Sequence, residues 1–152
     1  MVRNDIMQKL RRYCAYQERC HEEVRTKLLA LKVYGEELEE TISELTQEDF
    51  LNEERFAKAY AGGKFRMQKW GRTKIIRELK RRKISDYCIR KAMMEIPEAD
   101  YKITMQKLIT AALKKYKVRN QLITANKTAK FVISKGYESN LVWGEIKRQL
   151  ED

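Results

Sequence analysis

The sequence predicts an all-α fold of nine helices, arranged as three tandem three-helix repeats in an elongated, curved array. Three observations predict it. Apolar residues recur at intervals of three and four along nearly the whole chain, and no stretch alternates with a period of two. The 152 residues include one Pro and six Gly, which is too few for the many tight turns of an all-β fold. One apolar register also occurs three times.

Each copy of this register has five positions separated by 4, 5, 5 and 4 residues. The three copies are Val24, Leu28, Val33, Leu38 and Ile42; Ile75, Leu79, Ile84, Ile89 and Met93; and Thr128, Val132, Tyr137, Val142 and Ile146. Each copy predicts a helix, a tight joint and a second helix, and a further helix is expected before each pair, at about 5–20, 52–68 and 99–118. Because one such repeat buries little core alone, neighbouring repeats are expected to pack on each other.

Local signals place the ends of several helices. Small polar residues ahead of acidic ones predict helix starts at Thr46-Gln47-Glu48-Asp49, Asn52-Glu53-Glu54 and Ser85-Asp86, and Ser139-Asn140 could start the last helix. Pro97 is expected to end one helix and open the next. Gly62-Gly63 predicts an interruption of the helix that contains Tyr60.

Charge is distributed unevenly over the predicted repeats. Of the net charge of +11, residues 1–51 carry −3, residues 52–97 carry +9 and residues 98–152 carry +5. A basic excess concentrated in one repeat favours a polyanion or an acidic protein surface as partner. The acidic run Glu36–Glu40 of the first repeat would repel DNA, so we expect that repeat to contact protein or nothing. A merely solvated basic face is the alternative interpretation.

The basic middle repeat supplies the candidate binding residues. On a helix over Arg72–Lys83, Ile75, Ile76 and Leu79 share one side, whereas Lys74, Arg77 and Arg81 share the opposite side. The residues expected to contact a nucleic acid or partner are Lys64, Arg66, Lys69, Trp70, Arg72, Lys74, Arg77, Lys80, Arg81 and Arg82. Phosphate contacts there would make binding strongly salt-dependent.

Aromatic residues are interleaved with these basic residues. A nucleic-acid base could stack on an exposed ring, and core packing is the alternative. We expect Phe56 and Tyr60 in the core and leave Phe65 and Trp70 open between the two roles.

The sequence shows no arrangement of catalytic or metal-binding residues. Cys14 and Cys20 point to different faces of a helix, His21 diverges from Cys20, and Cys88 is expected to be a small buried residue. No nucleophile motif or phosphate-binding loop occurs, so we expect a non-enzyme without cofactor or metal. No apolar run approaches the roughly 18 residues that span a bilayer. We therefore expect a cytoplasmic monomer with reduced thiols and no membrane partner.

One segment of the chain has the sequence Leu51-Asn52-Glu53-Glu54-Arg55-Phe56-Ala57-Lys58-Ala59-Tyr60, followed by a basic stretch, Gly71 and a basic helix that ends at Ile84. This segment resembles the central signature of RecX recombination regulators. Looser similarity extends from about Tyr13 to Leu150. The residues that carry the family pattern, mainly in structural roles, are Glu53, Glu54, Arg55, Phe56, Ala57, Gly71, Glu78, Leu79 and Gly136. The resemblance implies binding to the RecA recombinase filament on single-stranded DNA, along its groove, with inhibition of strand exchange, ATP hydrolysis and the SOS response.

The sequence departs from the family pattern at the joints between paired helices. The family usually has Gly there, whereas this chain has Lys32 and Lys83 at the first two joints and keeps only Gly136 at the third. Each lysine must adopt a left-handed backbone conformation or change the turn. Cys20 also stands where a capping Ser is common.

Three hypotheses of function follow from these residues. The first is a RecX-like regulator, which in most cases inhibits recombinase filaments. The second is an independent basic helical module that binds nucleic acid, which rests on the charge distribution alone. The third is a helical adaptor that binds only protein.

Overall fold

A computed structural model describes residues 2–151, which form nine α-helices and no strand. The helices are α1 Asn4–Tyr16, α2 His21–Ala30, α3 Gly35–Gln47, α4 Glu53–Gln68, α5 Arg72–Arg81, α6 Asp86–Met93, α7 Glu98–Lys115, α8 Gln121–Ser134 and α9 Ser139–Glu151. The predicted all-α class is therefore confirmed. Within residues 2–151, no helix is long and apolar enough to cross a membrane.

Side-chain caps form at two predicted helix starts. The Asn52 side-chain oxygen accepts a hydrogen bond from the Arg55 N–H at 2.9 Å, and the Ser85 hydroxyl accepts one from the Cys88 N–H at 3.2 Å. Each cap satisfies a donor that the first helical turn leaves without a partner. At the start of α2, the Cys20 N–H donates a hydrogen bond to Glu23 Oε1 at 3.1 Å, which is the glutamate half of a capping box.

The predicted helix start at Thr46–Asp49 is wrong, because these residues end α3. The Thr46 hydroxyl donates back to the Ile42 carbonyl at 2.8 Å, and Asp49 takes a left-handed conformation with φ of 63°. The N–H of Phe50 then closes the turn on the Leu45 carbonyl at 2.9 Å. Short polar side chains serve both ends of helices, because Asp tolerates the left-handed region better than most residues.

The predicted interruption at Gly62-Gly63 is also wrong, since α4 continues through both residues. Gly62 is buried, and the Arg66 guanidinium lies over it: a Cβ at Gly62 would stand 2.7 Å from Arg66 Nη1. The helix thus tolerates the loss of roughly 1 kcal/mol in helix propensity that a glycine causes. The Arg66 side chain fills the space that a side chain at Gly62 would occupy. The first helix, expected at about 5–20, is shorter than predicted. It ends at Tyr16 because Gln17 is extended, with φ of −160° and ψ of 164°.

The repeated register describes the buried positions well. All of its positions are buried except Met93, which is half-buried. The chain divides into two compact units: unit 1 comprises residues 1–60 and 79–92, and unit 2 comprises residues 61–78 and 93–152. The division into three repeats at 1–51, 52–97 and 98–152 stays a prediction.

Unit 1 is built around a core of aliphatic side chains from its first three helices. Leu10, Val24, Leu28, Val33 and Leu45 are fully buried there. Acidic residues of α3 and its C-terminal end pair with arginines of α2, of α1 and of the residue before α1. The pairs are Arg3–Glu37 at 2.9 Å, Arg25–Glu39 at 2.5 Å and Arg11–Glu48 at 2.8 Å. Residues 52–60 and 79–92, which also belong to the unit, add eight basic and three acidic residues to the eight and 11 of residues 1–51. With 16 basic and 14 acidic residues, the whole unit carries +2.

Unit 2 has an aromatic core and most of the positive charge. Tyr101 and Tyr137 are both buried, with ring centres 5.0 Å apart, and Phe65 packs on Tyr101 at 6.0 Å. In α9, buried Glu145 is bound by Arg148 at 2.7 Å and by the Gln149 amide at 2.8 Å, and these hydrogen bonds lower its pKa to about 2. The unit holds 17 basic and eight acidic residues, a net charge of +9.

Candidate nucleic-acid interface

In unit 2, a close backbone crossing fixes the start of α5. The Gly71 N–H donates to the Lys135 carbonyl at 2.8 Å, and the Thr73 N–H donates to the Gly136 carbonyl at 2.9 Å. A Cβ on Gly71 would lie 2.3 Å from the Gly136 carbonyl carbon. The backbones of the α4–α5 connection and the α8–α9 joint are therefore in direct contact at Gly71 and Gly136, which only glycine permits. Two side chains add to this contact, since the Tyr137 hydroxyl donates to the Lys69 carbonyl at 2.9 Å and Lys135 Nζ donates to the Gln68 carbonyl at 3.1 Å.

Arg72, the first residue of α5, is bound inside unit 2. Its guanidinium lies 3.8 Å from the centre of the Tyr101 ring and pairs with Glu98 at 2.9 Å and Glu138 at 3.0 Å. Its N–H donates to the Tyr101 hydroxyl at 3.0 Å, and that hydroxyl also bonds to Glu138. Arg72 was predicted to contact a nucleic acid; in the structure its charge is already shared with two carboxylates, so it has a structural role as well.

Trp70 lies between two lysine side chains. The ammonium of Lys64 is 4.9 Å from the Trp70 ring centre, and that of Lys74 is 4.3 Å from it. We call these three residues the lysine–tryptophan cluster. Cation–π attraction of about 0.5–1 kcal/mol at each lysine orients the ring and keeps both positive charges beside it. Trp70 itself is half-buried.

The other aromatic candidates have packing roles. The sequence left Phe65 open between base stacking and core packing. In the structure Phe65 is buried against Tyr101, so it packs in the core. Phe56 is buried and stacks with Tyr60 at 5.7 Å, while the Arg82 guanidinium covers Tyr60 at 4.8 Å. The expected core position of Phe56 is thus confirmed, and Tyr60 is half-buried at its edge.

The predicted binding residues belong to both units. In unit 2, Arg66, Lys69 and Arg77 are exposed around the lysine–tryptophan cluster. In unit 1, Lys80 and Arg81 are exposed and Arg82 is half-buried. Their role in binding stays a prediction.

The structure also presents a basic and aromatic surface that the sequence analysis missed. It lies in unit 1, on α1 and α2, and we call it the tyrosine groove. Its lining residues are Lys9, Arg12, Tyr13, Tyr16, Arg19, Lys27 and Leu31. A signal was available, because Lys9, Arg12, Tyr13 and Tyr16 follow the spacing of one helix face, but the net charge of −3 over residues 1–51 concealed it.

The family-signature residues of α4 make structural contacts within unit 1. The Arg55 guanidinium pairs with Glu18 at 2.7 Å and donates to the Asp49 carbonyl at 2.9 Å. Glu53 Oε1 accepts a hydrogen bond from the Ser85 N–H at 3.0 Å, which ties α4 to the start of α6. Phe56 and Ala57 are buried beside them.

The three cysteines are free and buried. Burial raises the pKa of the Cys14 and Cys20 thiols to about 11, so both are protonated at neutral pH and are poor nucleophiles. Among residues 2–151, no group of three or more His, Cys, Asp or Glu side chains is placed to hold a metal ion.

Comparison with known proteins matches one segment of the chain to a family. Residues 52–93 match the family model described as RecX, second three-helix domain. The segment includes Arg55, Gly71 and the basic helix α5, and thus contains all the predicted binding residues. A search of curated proteins by sequence found no match.

Two solved structures show that the likeness of fold extends over nearly the whole chain. A crystal structure of regulatory protein RecX superposes with a TM-score of 0.84 at 19% identity, covering 95% of this chain and 70% of that one. RecX from Lactobacillus salivarius superposes with a TM-score of 0.79 at 22% identity, covering 95% of this chain and 96% of that one. The RecX fold is thus present outside the matched segment as well.

Proposed function

We propose that this protein regulates a RecA-type recombinase by binding along its filament on single-stranded DNA, chiefly as an inhibitor. The observation that carries the proposal is the match of residues 52–93 to the second three-helix domain of RecX, a regulatory protein in the solved structure it resembles. The protein acts as a cytoplasmic monomer and is not an enzyme in this proposal. Its effect comes from occupying the filament.

The charge of the protein supports a nucleoprotein partner. Unit 2 carries +9, and around the lysine–tryptophan cluster Arg66, Lys69 and Arg77 are exposed. Each phosphate contact made by such residues releases a counterion and adds about 0.7 to the salt-dependence slope on a single strand. A nucleoprotein filament offers phosphates and acidic side chains together, so such a surface has partners of both kinds there.

The test is a titration of the protein into the cognate RecA on single-stranded DNA, with ATP hydrolysis as the readout. We expect hydrolysis to fall at equimolar or lower ratios of protein to recombinase. Bovine serum albumin at equal concentration serves as the control. Unchanged hydrolysis at an equimolar ratio would contradict the proposal.

A second candidate function is an independent nucleic-acid-binding module, and the lysine–tryptophan cluster favours it. A tryptophan ring beside two ammonium groups combines the aromatic and cationic groups that bind the bases and phosphates of a single strand. Reversing three charges, in the variant Lys74→Glu/Arg77→Glu/Arg81→Glu, separates the two functions. The matched control reverses three exposed lysines elsewhere in unit 2: Lys102→Glu/Lys127→Glu/Lys147→Glu.

Regulation through this surface predicts that the first variant loses recombinase inhibition together with DNA binding, while the control keeps both. Loss of DNA binding with full inhibition would instead assign the basic surface to the module alone. An adaptor that binds only protein predicts no shift of single-stranded DNA in a gel at low salt.

A further inference from the structure

The tyrosine groove of unit 1 has the chemistry of a binding site, although it lies in the part of the chain with the most acidic residues. Lys9, Arg12, Tyr13 and Tyr16 occupy positions i, i+3, i+4 and i+7 of α1, so they share one face of that helix. Lys27 and Leu31 of the α2 region line its other side. We propose that this groove binds single-stranded nucleic acid directly, with a base stacked on Tyr16 and phosphates held by Lys9, Arg12 and Lys27.

The two tyrosines of the groove differ in what covers them. The Arg19 guanidinium lies 3.8 Å from the Tyr13 ring centre and 6.0 Å from that of Tyr16. Arg19 is itself held by the Tyr13 carbonyl at 3.0 Å and by Glu23 at 3.7 Å. Tyr13 is therefore a covered, anchored ring, whereas Tyr16 is 82% exposed and presents its surface to solvent.

The cations of the groove keep their charge available. Within residues 2–151, neither Lys9 nor Arg12 forms an ion pair, although both are exposed, and Lys27 faces the Tyr13 ring at 5.5 Å. The lining of the groove contains no carboxylate. Two acidic residues close in sequence have partners: Glu18 pairs with Arg55 at 2.7 Å, and Glu23 pairs at 3.7 Å with Arg19 of the groove itself.

The groove continues toward the predicted basic residues of the same unit. A second depression shares Tyr13 and Lys27 with it and reaches Arg81 and Arg82 at the end of α5. Two carboxylates line this depression, Glu22 and Glu23, and Glu22 faces Arg25 at 4.0 Å and Lys83 at 3.6 Å. A strand lying on Tyr16 could thus extend toward two further arginines without crossing an unpaired acidic residue.

A single strand suits this surface better than a duplex or an acidic peptide. The positions from Lys9 to Tyr16 extend for about 10 Å along α1, which accommodates a short stretch of strand. A ring as exposed as that of Tyr16 contributes to binding when a planar base covers it, and bases are accessible in a single strand. An acidic peptide would use the cations and leave the ring unused.

The test measures binding of the full chain to a fluorescent 20-nucleotide oligothymidylate at low salt, without recombinase. We expect Tyr16→Ala to weaken binding by roughly 5- to 100-fold, the range of one lost base stack, and Tyr16→Phe to bind like the unmodified protein. Lys9→Glu/Arg12→Glu should weaken binding and flatten its salt dependence. The matched control is Tyr34→Ala, which removes a tyrosine that is 60% exposed in the same unit but lies beside Glu36.

Each variant is also measured in the Lys74→Glu/Arg77→Glu background, so that binding through unit 2 does not mask the groove. Equal affinities of Tyr16→Ala and Tyr34→Ala in both backgrounds would overturn the inference. Polyglutamate that displaces the oligonucleotide at equal charge concentration would overturn it in favour of an acidic peptide. Because recombinase is absent, a negative result here is distinct from a failure of the proposed function in the ATP-hydrolysis titration.

Discussion

The joint between α5 and α6 in unit 1 and the joint between α8 and α9 in unit 2 occupy the same place in the repeated register, yet one has a lysine where the other has glycine. Lys83 has φ of 60° and Gly136 has φ of 108°, so both are left-handed. Lys32 adopts the same conformation as Lys83 at the α2–α3 joint, with φ of 62°. The lysine joints and the glycine joint therefore have a left-handed residue at the same position of the register.

What surrounds the two joints differs. At Lys83 the helix ends in a closed turn, with the Lys83 N–H bonded to Lys80 and the Ile84 N–H bonded to the Leu79 carbonyl, and the lysine side chain is 75% exposed. At Gly136 a Cβ would lie 2.5 Å from the Cβ of Lys74. Glycine is thus required by contact with a second backbone at one joint, whereas at the other it would relieve only local strain.

The most severe test of this contrast is Gly71→Ala, since Gly71 is the residue that meets Gly136. Its new Cβ would lie 2.3 to 2.5 Å from three backbone atoms of Gly136 and Tyr137, and backbone cannot move aside as a flexible side chain can. We expect the free energy of unfolding to fall by at least about 3 kcal/mol. Urea denaturation followed by circular dichroism measures it.

The matched control is Gly63→Ala in α4, where a Cβ has no neighbour within 4 Å. This substitution should stabilise the protein by up to about 1 kcal/mol, because alanine favours the helix. A similar small effect for both substitutions would show that the Gly71–Gly136 contact is loose, and the contrast between the joints would disappear.

The sequence predicted the helices and the buried register because helical periodicity is a local property. Ile75, Leu79 and Ile84 are buried where the register requires it. It could not predict that Gly71 and Gly136 touch, because this contact joins residues far apart in the chain and leaves no periodic signal. The mistaken helix start at Thr46 has a local cause, since the same polar residues suit both ends of a helix.

The tyrosine hydroxyls of unit 2 provide an intermediate test. Tyr101→Phe removes the acceptor of the Arg72 N–H and a hydrogen bond to Glu138, and it leaves both groups half-buried without that partner. Because a buried polar group without a partner destabilises the fold by about 1–3 kcal/mol, we expect a loss in that range. Thermal unfolding together with hydrogen exchange at the start of α5 measures it.

Unit 1 supplies the control for this substitution. Tyr87 is 53% exposed, so Tyr87→Phe should change the unfolding free energy by less than about 0.5 kcal/mol. If Tyr101→Phe proved equally neutral, the Tyr101 hydroxyl would contribute nothing to the stability of the joint in unit 2.

The candidate site was predictable in composition and not in arrangement. The sequence identified Lys64, Trp70 and Lys74 as basic and aromatic neighbours, but only folding reveals that both ammonium groups flank the ring. It counted Arg72 as a surface charge, because the burial of Tyr101 beneath it depends on α7. Net charge averaged over a segment also concealed Tyr16, whose acidic neighbours in sequence face other partners in space.

The smallest change in the free energy of unfolding is expected at the Lys83 joint, where substitution by glycine should stabilise the protein. Lys83→Gly removes a left-handed strain of about 1–2 kcal/mol, and the greater flexibility of glycine in the unfolded chain offsets about 0.5–1 kcal/mol of that gain. The lost pair with Glu22, 3.6 Å apart, contributes little because the lysine is largely in solvent. We expect stabilisation of about 1 kcal/mol or less, measured by urea denaturation.

Lys32→Gly should behave alike, since that joint has the same hydrogen bonds, from the Lys32 N–H to Leu29 and from the Val33 N–H to Leu28. Lys135→Gly is the opposing control, because Lys135 has a right-handed conformation with φ of −76° and contains no strain to relieve. It should lose about 0.5–1 kcal/mol through the greater flexibility of glycine, and it also loses the exposed hydrogen bond from Lys135 Nζ to the Gln68 carbonyl, 3.1 Å long. If Lys83→Gly destabilised the protein as much as Lys135→Gly, the Lys83 side chain would support the joint through its own contacts. The lysine joint and the glycine joint would then differ in more than the space available for a Cβ.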